Sequence, residues 1–331
     1  MQFDQLGRRE VITLLGGAAM PWPLAARAQQ PAIPVVAILS ALPQEFSTNL
    51  INAWRKGLAE TGIVEGRNVT VEFRFAGGQY ERLPGFAADL VQRQVALIVA
   101  MGPPAALAAK IATTRIPIVF IVGLDPVGAG LVASFNRPGG NATGMSLITG
   151  PLGQKRLEIL RDLVPKAKLV PMILNPVSPD AIPELRDVQG AAQALGIELR
   201  VLQASTASEI DAAFATLPGQ RPDALLVGSD PFFTSQAEHF AALAARLGVP
   251  AIYPFREFTA AGGLVSYGTN LANAYRQAGI YTGRIFKGDK PSDLPVMQPT
   301  TFELVINLRA TRTLGIEIPA TLHARSDEVI E

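Results

Sequence analysis

Apolar runs of strand length alternate with stretches of helical periodicity over most of the chain. The first run, 34–40, is almost wholly apolar, which is typical of a parallel strand covered on both faces. The stretch that follows it places Leu50, Trp54 and Leu58 at helical spacing. Repeated alternation of this kind predicts βαβ units with right-handed crossovers, and hence an α/β fold built on parallel sheets.

The alternation restarts near residue 151, so two doubly wound sheets are predicted in preference to one long sheet. A short helix is expected near 127–134, and a helix at 271–286 precedes a Pro-bearing linker at 290–295. The predicted strands are 34–40, 69–75, 96–100, 116–122 and 142–147 in the first half, and 169–174, 198–202, 224–228, 251–253 and 264–267 in the second.

The N-terminus has the features of an export signal in the expected order. Arg8 and Arg9 precede a ten-residue apolar run, 11–20, and Ala26-Arg27-Ala28 offers small residues where signal peptidase cleaves. The run is too short to span a bilayer, which needs about 20 apolar residues. We expect residues 1–28 to be a cleaved signal peptide and the mature protein to be periplasmic. Export by the general or by the twin-arginine route stays open.

The composition argues against several classes of site. Lys and Arg number 29 against 28 Asp and Glu, so the basic excess that nucleic-acid binding requires is lacking. The chain has no Cys, which excludes disulfides, thiolate metal sites and a lipid-modified cysteine anchor. The two histidines, His239 and His323, are far apart in sequence. We therefore expect no cofactor, no metal and no nucleic-acid partner.

Signatures of catalysis are weak. Asp125, Asp230 and Glu257 could supply an acid/base pair, but no spacing links them. The segment 128–133 has the spacing of a dinucleotide-binding loop, yet it falls inside a predicted helix and not at the turn that opens one. We expect no catalytic residues, and a periplasmic α/β enzyme acting on a small metabolite remains an alternative.

Ligands of open parallel sheets bind beyond the carboxyl ends of the strands, so the turns there are the candidate site. Several of these turns place a polar residue before Pro, which is also ordinary helix-capping chemistry. Helices are predicted to begin after Ser40, Met101 and Asn175, and their free N–H groups favour an anionic group on the ligand.

Two adjacent turns of the second half are rich in aromatic residues. Phe232 and Tyr253 are the better candidates for an apolar part of the ligand site, because each lies at the edge of a strand end. For Phe233 and Phe255 we favour packing in the core. The four together indicate a ligand with an apolar or aromatic body.

Five segments taken together make the chain resemble a known family. They are 62–68, 116–120, 125–132, 136–144 and 302–308. The chain resembles the ABC-transporter substrate-binding proteins whose characterised relatives include tryptophan-binding lipoproteins. The resemblance covers essentially all of the mature chain. It implies a type I periplasmic binding protein fold, in which two doubly wound parallel-sheet lobes are joined by a three-crossing hinge.

The resemblance also implies where the lobes divide and what faces the ligand. The expected lobes are 29–145 plus 268–295 and 146–267 plus 296–331. One departure is the turn Asp230-Pro231-Phe232-Phe233, where many relatives carry a polar Asp-Asn pair, so an aromatic amino acid ligand does not transfer directly. The ligand-facing residues that the resemblance implies are Ser40, Gly102, Pro103, Asp125, Asn175, Asp230 and Glu257.

The sequence thus predicts a monomeric periplasmic solute-binding component of an ABC-type importer. It would hold a small carboxylate-bearing ligand, aromatic or amino-acid-like, between its lobes and deliver it to an ABC permease in the inner membrane. A ligand-loaded sensor that docks onto a membrane receptor and imports nothing is the third hypothesis.

Overall fold

A computed structural model of the chain describes residues 33–331. The expected signal peptide and its cleavage site after Ala28 lie outside the described residues. Residues 34–331 form one unit that contains two β-sheets. No helix of this unit is long and apolar enough to cross a membrane.

The first sheet has five parallel strands in the order β2-β1-β3-β4-β5. Successive residues of its first strand pack on opposite faces of the sheet. Ile38 joins the apolar cluster that contains Trp54, and Leu39 joins the cluster that contains Leu90. The elements are β1 (Val35–Ser40), α1 (Gln44–Glu60), β2 (Thr70–Phe75), α2 (Leu83–Gln92), β3 (Leu97–Met101), α3 (Pro103–Ala112), β4 (Ile118–Val122) and β5 (Ala142–Ser146).

The second sheet has seven strands in the order β12-β11-β10-β9-β8-β6-β7, and only the β10–β11 pair is antiparallel. Its strands are β6 (Leu169–Leu174), β7 (Glu198–Gln203), β8 (Leu225–Val227), β9 (Ala251–Tyr253), β10 (Val265–Gly268), β11 (Glu303–Asn307) and β12 (Glu328–Ile330). Its helices are α4 (Thr149–Leu163), α5 (Ala181–Leu195), α6 (Ala207–Gln220), α7 (Pro231–Ser235), α8 (Ala237–Leu247), α9 (Arg256–Ala260), α11 (Leu308–Leu314) and α12 (Ala320–Arg325).

The remaining long helix, α10 (Leu271–Phe286), returns to the first sheet and packs against α1. Glycines allow the two helices to touch at the backbone. A Cβ on Gly57 would collide with the carbonyl oxygen of Arg276, and one on Gly279 with that of Trp54. Trp54 is fully buried in this contact, and its Nε1 donates a 3.2 Å hydrogen bond to Thr282.

The prediction of two mainly parallel sheets is confirmed, and the alternative of one long sheet is wrong. The helix expected near 127–134 does not form. Asp125 Oδ1 accepts a 2.9 Å hydrogen bond from the N–H of Val127, and Gly130 has a φ of 72°, so the backbone turns instead. The C-terminal elements β11, α11, α12 and β12 were not predicted.

The chain passes between the sheets at three places, which follow β5, follow β10 and precede β11. These segments bond to one another. The N–H of Ser146 donates to the carbonyl of Met297 at 2.9 Å, and the hydroxyl of Thr269 donates to the carbonyl of Leu147 at 2.9 Å. The boundaries expected near 145, 268 and 295 divide the chain into two lobes that would move as rigid bodies. This division stays a prediction.

Candidate ligand-binding cleft

A cavity lies between the carboxyl ends of the two sheets, and both sheets supply its walls. The space between its walls, counted out to and including the open mouth, is about 480 Å³. The first sheet contributes residues that follow β1, β3 and β4, and the second contributes residues that follow β6, β8 and β9. A molecule held there would touch both halves of the protein.

The polar end of the cavity contains two buried groups without partners. Asp180 is 5% exposed, and its Oδ1 accepts no hydrogen bond from any described residue. It occupies the N-cap position of α5 without capping it. The Oγ1 of Thr149 is likewise unpaired within residues 33–331. Burial of unpaired polar groups is costly, so the two groups indicate a place that a ligand or water satisfies.

Gly123 makes room for this pair. A Cβ at Gly123 would lie 2.5 Å from Oγ1 of Thr149 and 2.7 Å from Oδ2 of Asp180, closer than real Cβ atoms approach. Its backbone also fixes the start of α4, because the Thr149 N–H donates to the Gly123 carbonyl at 3.2 Å. The first sheet therefore approaches the two unpaired groups with backbone only.

Asp230, which also lines the cavity, bonds to the opposite sheet. It accepts a 2.8 Å hydrogen bond from the hydroxyl of Tyr80, which belongs to a 3₁₀ turn after β2. The Tyr80 hydroxyl in turn accepts a 3.2 Å bond from the N–H of Phe232. Asn175 and the N–H of Phe233 donate to the other Asp230 oxygen at 3.1 and 3.2 Å. The two halves are thus joined across the cleft in a closed arrangement.

A buried ion pair lies behind the polar end. Arg156 and Glu184 are 0% and 1% exposed and form a direct salt bridge. Glu184 accepts hydrogen bonds from the N–H and the hydroxyl of Ser229, at 2.8 and 3.2 Å. The pair therefore holds the loop that carries Asp230 into the cavity.

The charges at this end favour a cation. Burial raises the pKa of Asp180 well above its usual range, and the neighbouring Glu184 and Asp230 raise it further. Burial also raises the pKa of Asp230, although the hydrogen bonds from Asn175 and Tyr80 oppose this. Three carboxyl groups, those of Asp180, Glu184 and Asp230, thus lie close together, and of the three Glu184 is salt-bridged to Arg156. A positive group entering the cavity would stabilise the ionised carboxylates.

Apart from Ser229 and Thr234, the rest of the cavity wall is apolar. It continues a core cluster that extends through both halves of the protein, so it is rigidly packed from behind. Phe255, 6% exposed, and Tyr275, 5% exposed, supply aromatic surface. The wall residues are Leu42, Leu50, Met101, Ile121, Leu147, Phe255, Leu271 and Tyr275.

Helix N-termini contribute less than the sequence predicts. Pro103 and Pro104 open α3 and have no N–H, and the N–H of Ala106 is bonded to Gly102, so this end offers few donors. The helix that follows Asn175 begins at Ala181, six residues further along the chain. The first turn of α1 is exposed and carries Glu45, and residues 44–46 do not line the cavity.

Five of the nine predicted site residues lie at or next to the cavity. Gly102, Pro103 and Asp230 line it directly. Ser40 and Asn175 are one hydrogen bond behind the wall, since Ser40 accepts from the Leu42 N–H at 3.1 Å and Asn175 donates to Asp230. Whether each contacts ligand stays a prediction.

Two further predicted residues belong to neighbouring surfaces. Phe232 packs across the interface onto Gly78, where a Cβ would lie 2.7 Å from its ring, and does not line the cavity. Asp125 sits in an exposed turn that borders an adjoining groove.

Tyr253 and Glu257 are not on the cavity wall. The expectation that Tyr253 faces the cleft is wrong, because its fully buried ring stacks on Phe258 at 5.0 Å and lies against Gly263, at a separate hollow. Glu257 lies on α9, and its shielded Oε2 has no partner among the described residues. Phe255 belongs to the buried core cluster, as expected, and also lines the cavity.

The sequence analysis missed the polar pair. Asp180 has the local signature of a helix cap, and Thr149 follows a strand end that was assigned to the hinge. The apolar spacing of Leu271 and Tyr275 in α10 marked them as core. None of these local patterns distinguishes a cavity wall from an ordinary buried position.

The model of the ABC transporter substrate binding protein family matches residues 35–330. The chain belongs to this family. Its members are ligand-binding components of transporters and not enzymes, so the enzyme alternative is wrong.

Relatives and solved structures agree with this assignment. The tyrosine-binding protein of Clostridioides difficile (strain R20291) is 29% identical over 262 residues, which cover 79% of this chain and 75% of that protein. A conserved domain protein from Vibrio cholerae O1 biovar El Tor is 26% identical, with a TM-score of 0.83 over 90% of this chain and 99% of that one.

An ABC domain from Streptococcus pneumoniae, solved in complex with L-Trp, is 24% identical, with a TM-score of 0.80. The match covers 89% of this chain and 100% of that domain. These likenesses confirm the predicted type I periplasmic binding protein fold.

Proposed function

We propose that this substrate-binding protein holds an amino acid with an apolar or aromatic side chain in its cleft and delivers it to an ABC-type importer. The observation that carries the proposal is the unpaired, buried carboxyl of Asp180 beside the unpaired hydroxyl of Thr149. An ammonium group offers three hydrogen-bond donors and a positive charge, which suits both partners.

The apolar wall is the evidence for an apolar or aromatic side chain on the ligand. Phe255 and Tyr275 supply aromatic surface, and the aliphatic residues around them exclude water from a side chain of similar size. Phe232 packs onto Gly78, so the Phe-Phe departure from the family pattern does not fill the cavity. One relative is named a tyrosine-binding protein, and another was solved in complex with L-Trp. Both support an amino acid ligand for this chain as well.

The carboxylate of the amino acid is the part of the ligand that the sequence analysis emphasised. The start of α3 offers it few backbone N–H donors, because that helix opens with two prolines, which have no N–H. We place it towards the end of the cavity formed by Leu42, which precedes α1, and Leu50 within α1.

Hinge motion between two lobes would admit the ligand. The lobes are 29–145 plus 268–295 and 146–267 plus 296–331, and the three bonded crossings around Leu147, Thr269 and Met297 act as the hinge. The cross-cleft bond between Tyr80 and Asp230 is made only when the lobes close.

We place the mature protein in the periplasm as a monomer that meets an ABC permease. Membership of a transporter family supports the partner, and the signal-like N-terminus supports the location. N-terminal sequencing of periplasmic protein should begin at or near Gln29, and a mature chain that still starts at Met1 would contradict the location.

A thermal-shift panel tests the ligand class. L-tyrosine, L-tryptophan, L-phenylalanine and L-leucine should raise the Tm, and a ligand at 100 times its Kd adds about 2.7 kcal/mol of stability. 3-Phenylpropionate, which lacks the amino group, and phenethylamine, which lacks the carboxylate, are the matched controls. Stabilisation by sugars or polyamines alone would overturn the proposal.

A further inference from the structure

Asp180 lies in a cluster with more acidic groups than its single buried cation can balance. Glu184 is salt-bridged to Arg156, whereas Asp180 has no counter-ion in the described part of the chain. Apart from Arg156, the titratable groups around Asp180 are acidic or phenolic: Glu184, Asp230, Tyr80 and, in the adjoining groove, Asp125 and Asp187.

The surroundings of the empty cleft favour the neutral form of Asp180. In the closed arrangement its Oδ1 is shielded from solvent and unpaired in residues 33–331, so negative charge on this oxygen is neither hydrated nor bonded. Burial in the closed arrangement raises its pKa well above the usual range, and Glu184 and Asp230, which belong to the same half as Asp180 and stay beside it when the cleft opens, raise it further. An ammonium group at hydrogen-bond distance reverses the preference, because an opposite charge favours the carboxylate.

We propose that capture of an amino acid in this cleft releases a proton from Asp180 to the solvent. The inference rests on the proposed function. Before binding, Asp180 is a carboxylic acid and the ligand carries its ammonium. After binding, the carboxylate pairs with the ammonium and the proton has passed to the buffer, so charge and atoms balance.

Proton release makes affinity depend on pH. Between the pKa of Asp180 in the ligand-bound protein and its higher pKa in the ligand-free protein, binding releases close to one proton, and the association constant rises about tenfold per pH unit. Above that pKa the dependence disappears. Acidification of the medium therefore weakens capture and promotes release of the ligand.

Titration calorimetry in two buffers of different ionisation enthalpy at one pH measures the number of protons released. L-tyrosine, L-tryptophan and L-phenylalanine are each titrated into the mature wild-type protein, into Asp180→Asn and into Asp162→Asn, which removes an exposed carboxylate of α4. In mildly acidic buffer the wild type and Asp162→Asn should release close to one proton, and Asp180→Asn none. If Asp180→Asn binds too weakly to measure, the wild-type affinity across acidic and neutral pH decides, since it should rise with pH.

The outcomes separate the two claims. Binding of an amino acid by the wild type without proton exchange, and with an affinity independent of pH, overturns the inference and leaves the proposed function standing. Equal proton release by Asp180→Asn assigns the proton to another group and also overturns it. If none of the three amino acids binds at any pH, the proposed function fails, and the inference fails with it.

Discussion

The hydroxyl of Tyr80 donates a 2.8 Å hydrogen bond to Oδ2 of Asp230, and this bond joins a turn of the first sheet to a loop of the second. Tyr80 also accepts the N–H of Phe232, so one hydroxyl serves two groups of the opposite half. Both contacts would break on opening. Their strength therefore enters the free energy of closure, and through it the ligand affinity.

Tyr80→Phe should raise the ligand Kd by about tenfold or more, because a hydrogen bond to a charged group contributes about 1.5–3 kcal/mol. The control is Tyr267→Phe, whose hydroxyl makes no hydrogen bond to a described residue. Calorimetry with L-phenylalanine gives the Kd, and small-angle scattering gives the closure. An unchanged Kd in Tyr80→Phe would show that the contact is not used in closure.

The fold was largely predictable because strands buried on both faces are continuous apolar runs, which β1, β3 and β4 are. The site was predictable only in part. Gly102 and Asp230 follow strand ends, where ligands of such sheets bind. Tyr253 ends a three-residue strand, and whether its ring or that of Phe255, two residues on, faces the cleft depends on packing with distant elements.

Asp180 could not be identified from sequence for a related reason. An acidic residue before a helix is normally its cap, and only the tertiary structure shows that this one caps nothing and faces the cavity. Tyr275 lines the cavity because α10 packs on the first sheet, although in the chain this helix follows five of the seven strands of the second sheet. Local patterns do not contain that information.

Gly123→Ala should weaken amino acid binding while leaving the protein folded. The added Cβ would crowd Thr149 and Asp180, and overpacking of this kind costs about 1–3 kcal/mol, or about 5- to 150-fold in Kd. Gly85→Ala is the control, since a Cβ there meets nothing within 4 Å. If Gly123→Ala binds like the wild type, Thr149 and Asp180 do not hold the ligand at this point.

The pH dependence of stability should reveal Asp180 in the ligand-free protein. Its pKa is raised in the folded state, so the folded protein binds more protons than the unfolded one above about pH 4, and stability falls as pH rises towards the raised pKa. Asp180→Asn should lose this component and be more stable than wild type near neutral pH. Tm measured against pH for both proteins tests this, and parallel curves would contradict it.

Trp54 provides a probe that should not respond to the ligand. Its side chain is fully buried between α1 and α10, and its Nε1 is bonded to Thr282 within the same lobe. Loss of residues 1–28 would leave it as the only Trp. Ligand should therefore reduce the radius of gyration while the emission maximum stays constant. A constant radius at saturation would exclude hinge closure.

The central claim is that Asp180 recognises the ammonium group of an amino acid. The most direct test measures Kd for L-phenylalanine and for 3-phenylpropionate, each with wild type and with Asp180→Asn. Loss of one partner of a buried charge pair costs about 2–5 kcal/mol, so the wild type should prefer L-phenylalanine by about 30-fold or more. Asp180→Asn should bind the two compounds with similar affinity. Equal binding of both by the wild type, or an undiminished preference in Asp180→Asn, would contradict the claim.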